Sequence, residues 1–177
     1  MLLYSLFAEI LDYPARPITR AVAGCAAQLA VECREASLHL AEFETAIAGM
    51  NPGQLQESYI NAFDLRPDCT LNLGYHLFGD DARRGLFLAE LKGRIKSAGI
   101  APGSELPDHM SLLLRYMQQD EQERRILIED CMLPAVSRMT EVLDSSDNPY
   151  RYALHALLTL LQQQNEAASE TAEAVKV

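Results

Sequence analysis

Apolar residues recur every three or four positions along most of the chain, starting with Leu2, Leu3, Leu6, Phe7, Ile10 and Leu11. This spacing puts them on one face of a helix that Pro14 brings to an end. An alanine-rich, small-residue helix is predicted from Pro17 to about Cys33, and a third carries Leu40, Phe43 and Ile47 and closes near Gly49. Asn51-Pro52 supplies an N-cap followed by proline at the first helical position, so a fourth helix starts there with Leu55, Tyr59 and Phe63 inward.

The segment DLRPDCT from Asp64 to Thr70 has turn chemistry, and the stretch LNLGYHLFGDD, broken by Gly74 and Gly79, reads as a short helix or an irregular segment. Asp80 or Asp81 then caps a helix with Phe87, Leu91 and Ile95 on one face and Gly99 at its stop. IAPGSELP combines proline, glycine and serine between two periodic segments and is read as a hinge over residues 99–107. Beyond it Asp108 is the predicted cap of a helix bearing Met110, Leu113, Leu114 and Met117. A longer helix runs through Ile128, Cys131, Ala135, Met139 and Val142, with Pro134 expected to kink it. The last helix starts at Pro149 and carries Leu154, Leu157, Leu158 and Leu161. No segment alternates as a strand would, so the expected fold is all-α, a single-domain bundle of about eight to nine helices over residues 1–164. Residues 165–177 hold too few large apolar side chains to pack and are expected to form a mobile acidic tail.

Composition narrows the class. With 177 residues, 49% hydrophobic and 23% charged, the chain is an ordinary globular domain with a real core. Its 25 acidic and 15 basic residues leave a net charge of -10, which disfavours nucleic acid and anionic lipid and favours a basic partner. Cys25, Cys33, Cys69 and Cys131 show no C-x-x-C pairing and read as reduced core residues. The apolar N-terminus lacks a basic n-region, and no run is long enough to span a membrane, so a cytoplasmic protein without stable membrane insertion is expected.

No phosphate loop, G-x-S-x-G elbow or H-E-x-x-H pair is present. His76 and Asp80, four residues apart, could share a metal or a proton on a helix, and with Asp108 and His109 they make up an alternative reading as a helical metal-dependent hydrolase. A purely structural subunit is a third. The sharpest local cluster, Glu105-Leu106-Pro107-Asp108-His109, is a helix cap that could also grip a basic peptide. Tyr75, His76 and Phe78 could line a groove with Met110, Met117 and Met139 as its floor, although each methionine alone reads as ordinary core.

Three spaced motifs together resemble the NarJ-type nitrate reductase assembly chaperones. They are Tyr59-x-x-x-Phe63-Asp64, then Tyr75-His76-x-x-Gly79-Asp80-x-x-x-Arg84-Gly85, then Glu105-Leu106-Pro107-Asp108-His109. Leu11-Asp12-Tyr13-Pro14 also fits, so the resemblance covers roughly the first two thirds of the chain. It implies a non-enzymatic, all-helical chaperone that holds an N-terminal segment of a molybdoenzyme catalytic subunit until the molybdenum cofactor is inserted. It implies no cofactor of the chaperone's own, and contact with cofactor-delivery proteins as a further partner class. The related TorD and DmsD chaperones share the acidic-Pro-Asp-His element. Carried onto this chain, the peptide-binding residues are Tyr59, Phe63, Asp64, Tyr75, His76, Asp80, Arg84, Asp108 and His109.

Overall fold

A computed structural model of the protein describes residues 2–101, 103, 105–119 and 121–174, with side chains through residue 170. Its α-helices are α1 (Leu3–Ile10), α2 (Thr19–Glu32), α3 (Arg34–Ile47), α4 (Pro52–Tyr59), α5 (Leu73–Phe78), α6 (Arg83–Ser97), α7 (Met110–Met117), α8 (Glu121–Leu127), α9 (Leu133–Asp144) and α10 (Tyr150–Ala174). A π turn at Ile128–Met132 joins α8 to α9 as one rod, so the described residues form nine helical rods without a strand. The fold is all-α, as the periodicity requires.

The apolar stripes meet in one core. α10 lies along α3 and α9, α2 packs on α3, and α1 packs on α2 and α7. Leu3, Phe7, Ile10 and Leu11 of the first stripe are fully buried. So are Met110, Met117 and Met139, which act as core packing and not as the floor of an open groove. All four cysteines are buried and unbridged. Among the described residues no helix is long and apolar enough to cross a membrane.

Local chemistry sets the boundaries. Asn51 and Gln54 form a reciprocal capping box at the start of α4: the Gln54 N–H donates to Asn51 Oδ1 at 3.0 Å, and the Asn51 N–H donates to Gln54 Oε1 at 2.9 Å. Because this end is exposed, Asn51→Ala is expected to cost about 1 kcal/mol and lower the melting temperature by about 3 °C, read by thermal circular dichroism. Asp81, not Asp80, serves α6, accepting the Arg83 N–H at 2.8 Å. Pro134 falls in the first turn of α9, directly after the π turn that interrupts the regular α-helical ladder.

Asp108 does not cap α7. His109 occupies the N-cap position without a side-chain bond, and the first free N–H of the helix, on Met110, donates to the Leu71 carbonyl at 2.8 Å. The Leu73 N–H donates in turn to the Asp108 carbonyl at 2.9 Å, closing a single antiparallel bridge between Asn72 and His109. With the backbone of 71–73 already serving α7, the Asp108 carboxylate turns toward α5.

Within the region read as the hinge, Gly99 and Gly103 adopt left-handed φ values of 72° and 62°, which glycine reaches without strain; Pro102 and Ser104 lie outside the described residues. At the other end of the chain α10 keeps helical form from Asn165 to Ala174, although Glu166, Ala167, Ser169 and Glu170 are exposed. The preceding turns hold this end: Tyr4 donates to Gln164, and Gln163 Nε2 donates to the Glu32 carbonyl at 3.0 Å. Residues 175–177 lie outside the described residues.

Candidate functional site

The bridge between Asn72 and His109 joins the second and third predicted motifs, and Asp64 of the first faces Glu105 and His109, so that two clusters can be distinguished. The first centres on Asp108, which is fully buried. Its Oδ2 accepts the Gly74 N–H at 3.1 Å and Arg84 Nη2 at 3.3 Å. It thereby satisfies a free donor in the first turn of α5 from across the fold. Gly74 is required here: a Cβ at that position would lie 2.7 Å from Asp108 Oδ2 and 3.2 Å from Phe87. The Arg84 guanidinium also lies over the Tyr75 ring, 5.9 Å from its centroid. Asp108 Oδ1 and Arg84 Nε are buried and have no hydrogen-bond partner among the described residues.

The second cluster begins with an aromatic chain that runs from the surface inward. A π turn at Ile60–Asp64 replaces the last turn of the predicted fourth helix, with the Leu65 N–H reaching back to the Ile60 carbonyl at 3.0 Å. Phe63 faces the core while Asp64 and Leu65 stay at the surface. Tyr13 meets Tyr59 edge-on at 5.6 Å, and Tyr59 meets Phe63 at 5.1 Å and Tyr150 at 5.6 Å. Tyr150 completes the chain with Phe63 at 5.2 Å and Phe43 at 5.3 Å.

Acidic groups surround the outer end of this chain. Burial pushes the Tyr59 phenol well above its ordinary value, and the Asp64, Asp12 and Glu105 carboxylates push it further in the same direction. Asp64 is itself raised, first by partial burial and then by repulsion from Glu105, with His109 opposing. His109 is mostly buried; its Nδ1 lies 2.9 Å from Ser111 Oγ and its Nε2 3.9 Å from Glu105 Oε2. Burial lowers its basicity against the pull of Glu105, Asp12 and Asp108, so the ring is held toward its neutral form. Arg115 of α7 pairs with Asp12 at 2.9 Å, leaving the local charge negative. Tyr13, Leu65 and Leu106 are exposed beside these acids, Leu65 to 68%.

Of the nine predicted residues, Tyr59, Phe63, Asp64 and His109 come together in the aromatic-acidic cluster, and Tyr75, Arg84 and Asp108 in the buried-carboxylate cluster. His76 turns inward: its Nε2 lies 2.6 Å from the Thr70 carbonyl, which fixes the ring proton on Nε2, and burial lowers its basicity. Its own carbonyl accepts from Arg138 Nη1 at 2.5 Å. Asp80 is exposed and makes no hydrogen bond or ion pair among the described residues. The hydrolase alternative needed His76, Asp80, Asp108 and His109 to converge, and they do not. Among the described residues no group of three or more His, Cys, Asp or Glu side chains is placed to hold a metal ion.

Asp12, Tyr13, Arg115 and Tyr150 also belong to the region, beyond the nine predicted residues. Asp12 and Tyr13 carried a signal in Leu11-Asp12-Tyr13-Pro14, whereas Arg115 and Tyr150 reach the region only through tertiary packing.

A separate groove of about 810 Å³ runs between α1 and α2, lined by Leu2, Leu6, Ala21 and Gly24, with Glu9 and Arg20 at its rim. None of the predicted site residues lines it.

The sequence profile described as "Nitrate reductase delta subunit" matches residues 26–156, a span containing every predicted site residue. The "Probable nitrate reductase molybdenum cofactor assembly chaperone NarJ" of Bacillus subtilis (strain 168) is 31% identical over 132 residues, covering 74% of this chain and 70% of that protein. The "Nitrate reductase molybdenum cofactor assembly chaperone NarJ" of Escherichia coli (strain K12) is 28% identical over 112 residues, or 63% of this chain and 48% of that protein. The match thus spans about half the length of the Escherichia coli relative. Since the profile runs from α2 into α10 over most of the chain and takes in all nine predicted site residues, the chain belongs to the nitrate reductase delta subunit family, that of the NarJ-type assembly chaperones.

Proposed function

We propose that this chain is an assembly chaperone of the cytoplasm that binds an N-terminal segment of a nitrate reductase-like catalytic subunit and supports molybdenum cofactor insertion. Family membership supports the chaperone role. The observation that carries the binding mode is the exposure of Tyr13, Leu65 and Leu106 next to Asp12, Asp64 and Glu105, whose charges converge on Tyr59; this acid-edged apolar patch is the mouth of the proposed site. Such a surface suits a basic amphipathic segment: apolar anchors cover the exposed leucines and the tyrosine, and cations pair with the carboxylates at the rim.

In this reading the two clusters divide the work. Asp108, Arg84 and Gly74 tie α5, α6 and the start of α7 into a rigid base. Tyr59, Phe63 and Tyr150 brace the mouth from beneath, and the near-neutral His109 ring forms its inner wall. The client is gripped by groups at the surface, while the buried ones hold that surface in place.

The chain has no tryptophan, so a client peptide that carries one can be followed by its indole fluorescence without background from the chaperone. Fluorescence anisotropy of the host catalytic subunit's N-terminal peptide should report saturable binding that weakens as salt is raised. Asp64→Lys with Glu105→Lys is expected to lower affinity at least about tenfold at unchanged helical content. Salt-independent binding that ignores both reversals would count against this mouth.

A further inference from the structure

α6 carries a charge opposite to that of the protein as a whole. In a chain of net charge -10 it holds five of the fifteen basic residues, Arg83, Arg84, Lys92, Arg94 and Lys96, against Glu90 alone. Three of the cations are engaged: Arg84 with Asp108, Arg83 with Asp81, and Arg94 with Glu90 and Glu123. Lys92 and Lys96 are exposed, four residues apart on one face, and have no ion-pair partner among the described residues. Nearer the start of the same helix Leu86 is 74% exposed. The same outer side holds Ala89, Gly85 and Gly93, and a Cβ at either glycine would meet nothing within 4 Å. Helix-interior glycine costs about 1 kcal/mol relative to alanine, and packing inside this chain does not explain it at Gly93.

The complementary surface lies on the same molecule. The outer face of α10 near its C-terminal end presents Glu166 and Glu170, exposed, also four residues apart, and without an ion-pair partner among the described residues. Four residues on a helix rise about 6 Å, so the acidic pair and the lysine pair match in spacing as well as in sign. The small neighbours on both faces, Gly85, Ala89 and Gly93 on α6 and Ala167 on α10, allow two helix backbones to approach closely.

We propose that the α6 face is a self-association surface, and that its occupant is the C-terminal part of α10 from a second copy of this chain. Lys92 and Lys96 of one copy pair with Glu166 and Glu170 of the other, and Leu86 is covered by the docked helix. Both surfaces exist on each copy, so the contact is made between unlike patches. It is weak, and salt weakens it further, because the charges sit at the rim of a small interface.

Sedimentation equilibrium of the whole 177-residue chain tests this. At about 50 mM NaCl the mass is expected to rise above the monomer with increasing concentration, and at about 500 mM to return to it. Lys92→Glu with Lys96→Glu, and separately Glu166→Lys with Glu170→Lys, should each weaken association at least about tenfold. All four positions are exposed, and circular dichroism confirms that each variant is folded. An equimolar mixture of the two charge-reversed variants should regain the association that each lacks alone. The proposal is overturned by a chain that stays monomeric at low salt, including one that instead sediments with anionic vesicles. It is equally overturned by association that survives both reversals, or by a mixture that fails to recover it.

Discussion

Asp108→Ala is expected to lower the melting temperature by roughly 6–12 °C, following from a loss of about 3 kcal/mol. The carboxylate is fully buried and serves two donors at once, the Gly74 N–H and Arg84 Nη2. Its removal leaves a backbone N–H at the start of α5 and a half-buried guanidinium without their acceptor, and the larger part of the loss is the desolvation penalty of those stranded donors. Asp108→Asn should lose less, since the amide oxygen can still accept from Gly74 while the charge opposite Arg84 is gone. A thermal melt of the three proteins should rank them wild type, Asn, Ala. If Asp108→Ala melts with the wild type, the tie between α5, α6 and α7 does not depend on this carboxylate. For this reason weakened client binding in Asp108→Ala cannot be read as loss of a direct contact.

Tyr150→Ala should be more damaging still, costing about 4 kcal/mol and lowering the melting temperature by roughly 8–16 °C. The ring is fully buried and contacts Phe43, Tyr59 and Phe63, so truncation opens a cavity under the proposed mouth. Tyr150→Phe separates ring from hydroxyl. The hydroxyl is buried without a hydrogen-bond partner among the described residues, so its removal is expected to be neutral or to stabilise by about 1 kcal/mol. Thermal melts of both variants, with circular dichroism to confirm the starting fold, read the two effects. A Tyr150→Phe loss as large as that of Tyr150→Ala would place the stability in the hydroxyl and contradict the packing account.

Local chemistry and periodicity carried much of this arrangement in the sequence. The first apolar stripe, the Asn51-Pro52 start of α4 and the inward direction of Tyr59 and Phe63 all depend on residues a few positions apart. Asp108 shows where such reasoning stops. Its position beside Pro107 fits an N-cap, but the Leu71 carbonyl, distant in sequence, takes the Met110 N–H and releases the carboxylate to α5. Adjacent Asp80 and Asp81 were equivalent as caps, and only the observed turn selects Asp81. The π turn at Ile60–Asp64 has no distinct periodic signal, yet it brings Phe63 inward while leaving Asp64 at the surface. Tyr150 enters the aromatic chain because α10 packs along α3, a contact that no local spacing encodes.

Docking of a client segment at the apolar mouth beside Asp12, Asp64 and Glu105 depends on the exposed leucines there. Its most direct test uses Leu65→Ser with Leu106→Ser, because both side chains are exposed and their loss leaves the buried clusters untouched. Calorimetric titration of the client N-terminal peptide into wild type and this double variant, at matched melting temperature, is the measurement. The wild type is expected to bind saturably and the variant at least about tenfold more weakly. Full-strength binding by the folded double variant, abolished instead by substitutions lining the α1–α2 groove, would contradict docking at this mouth.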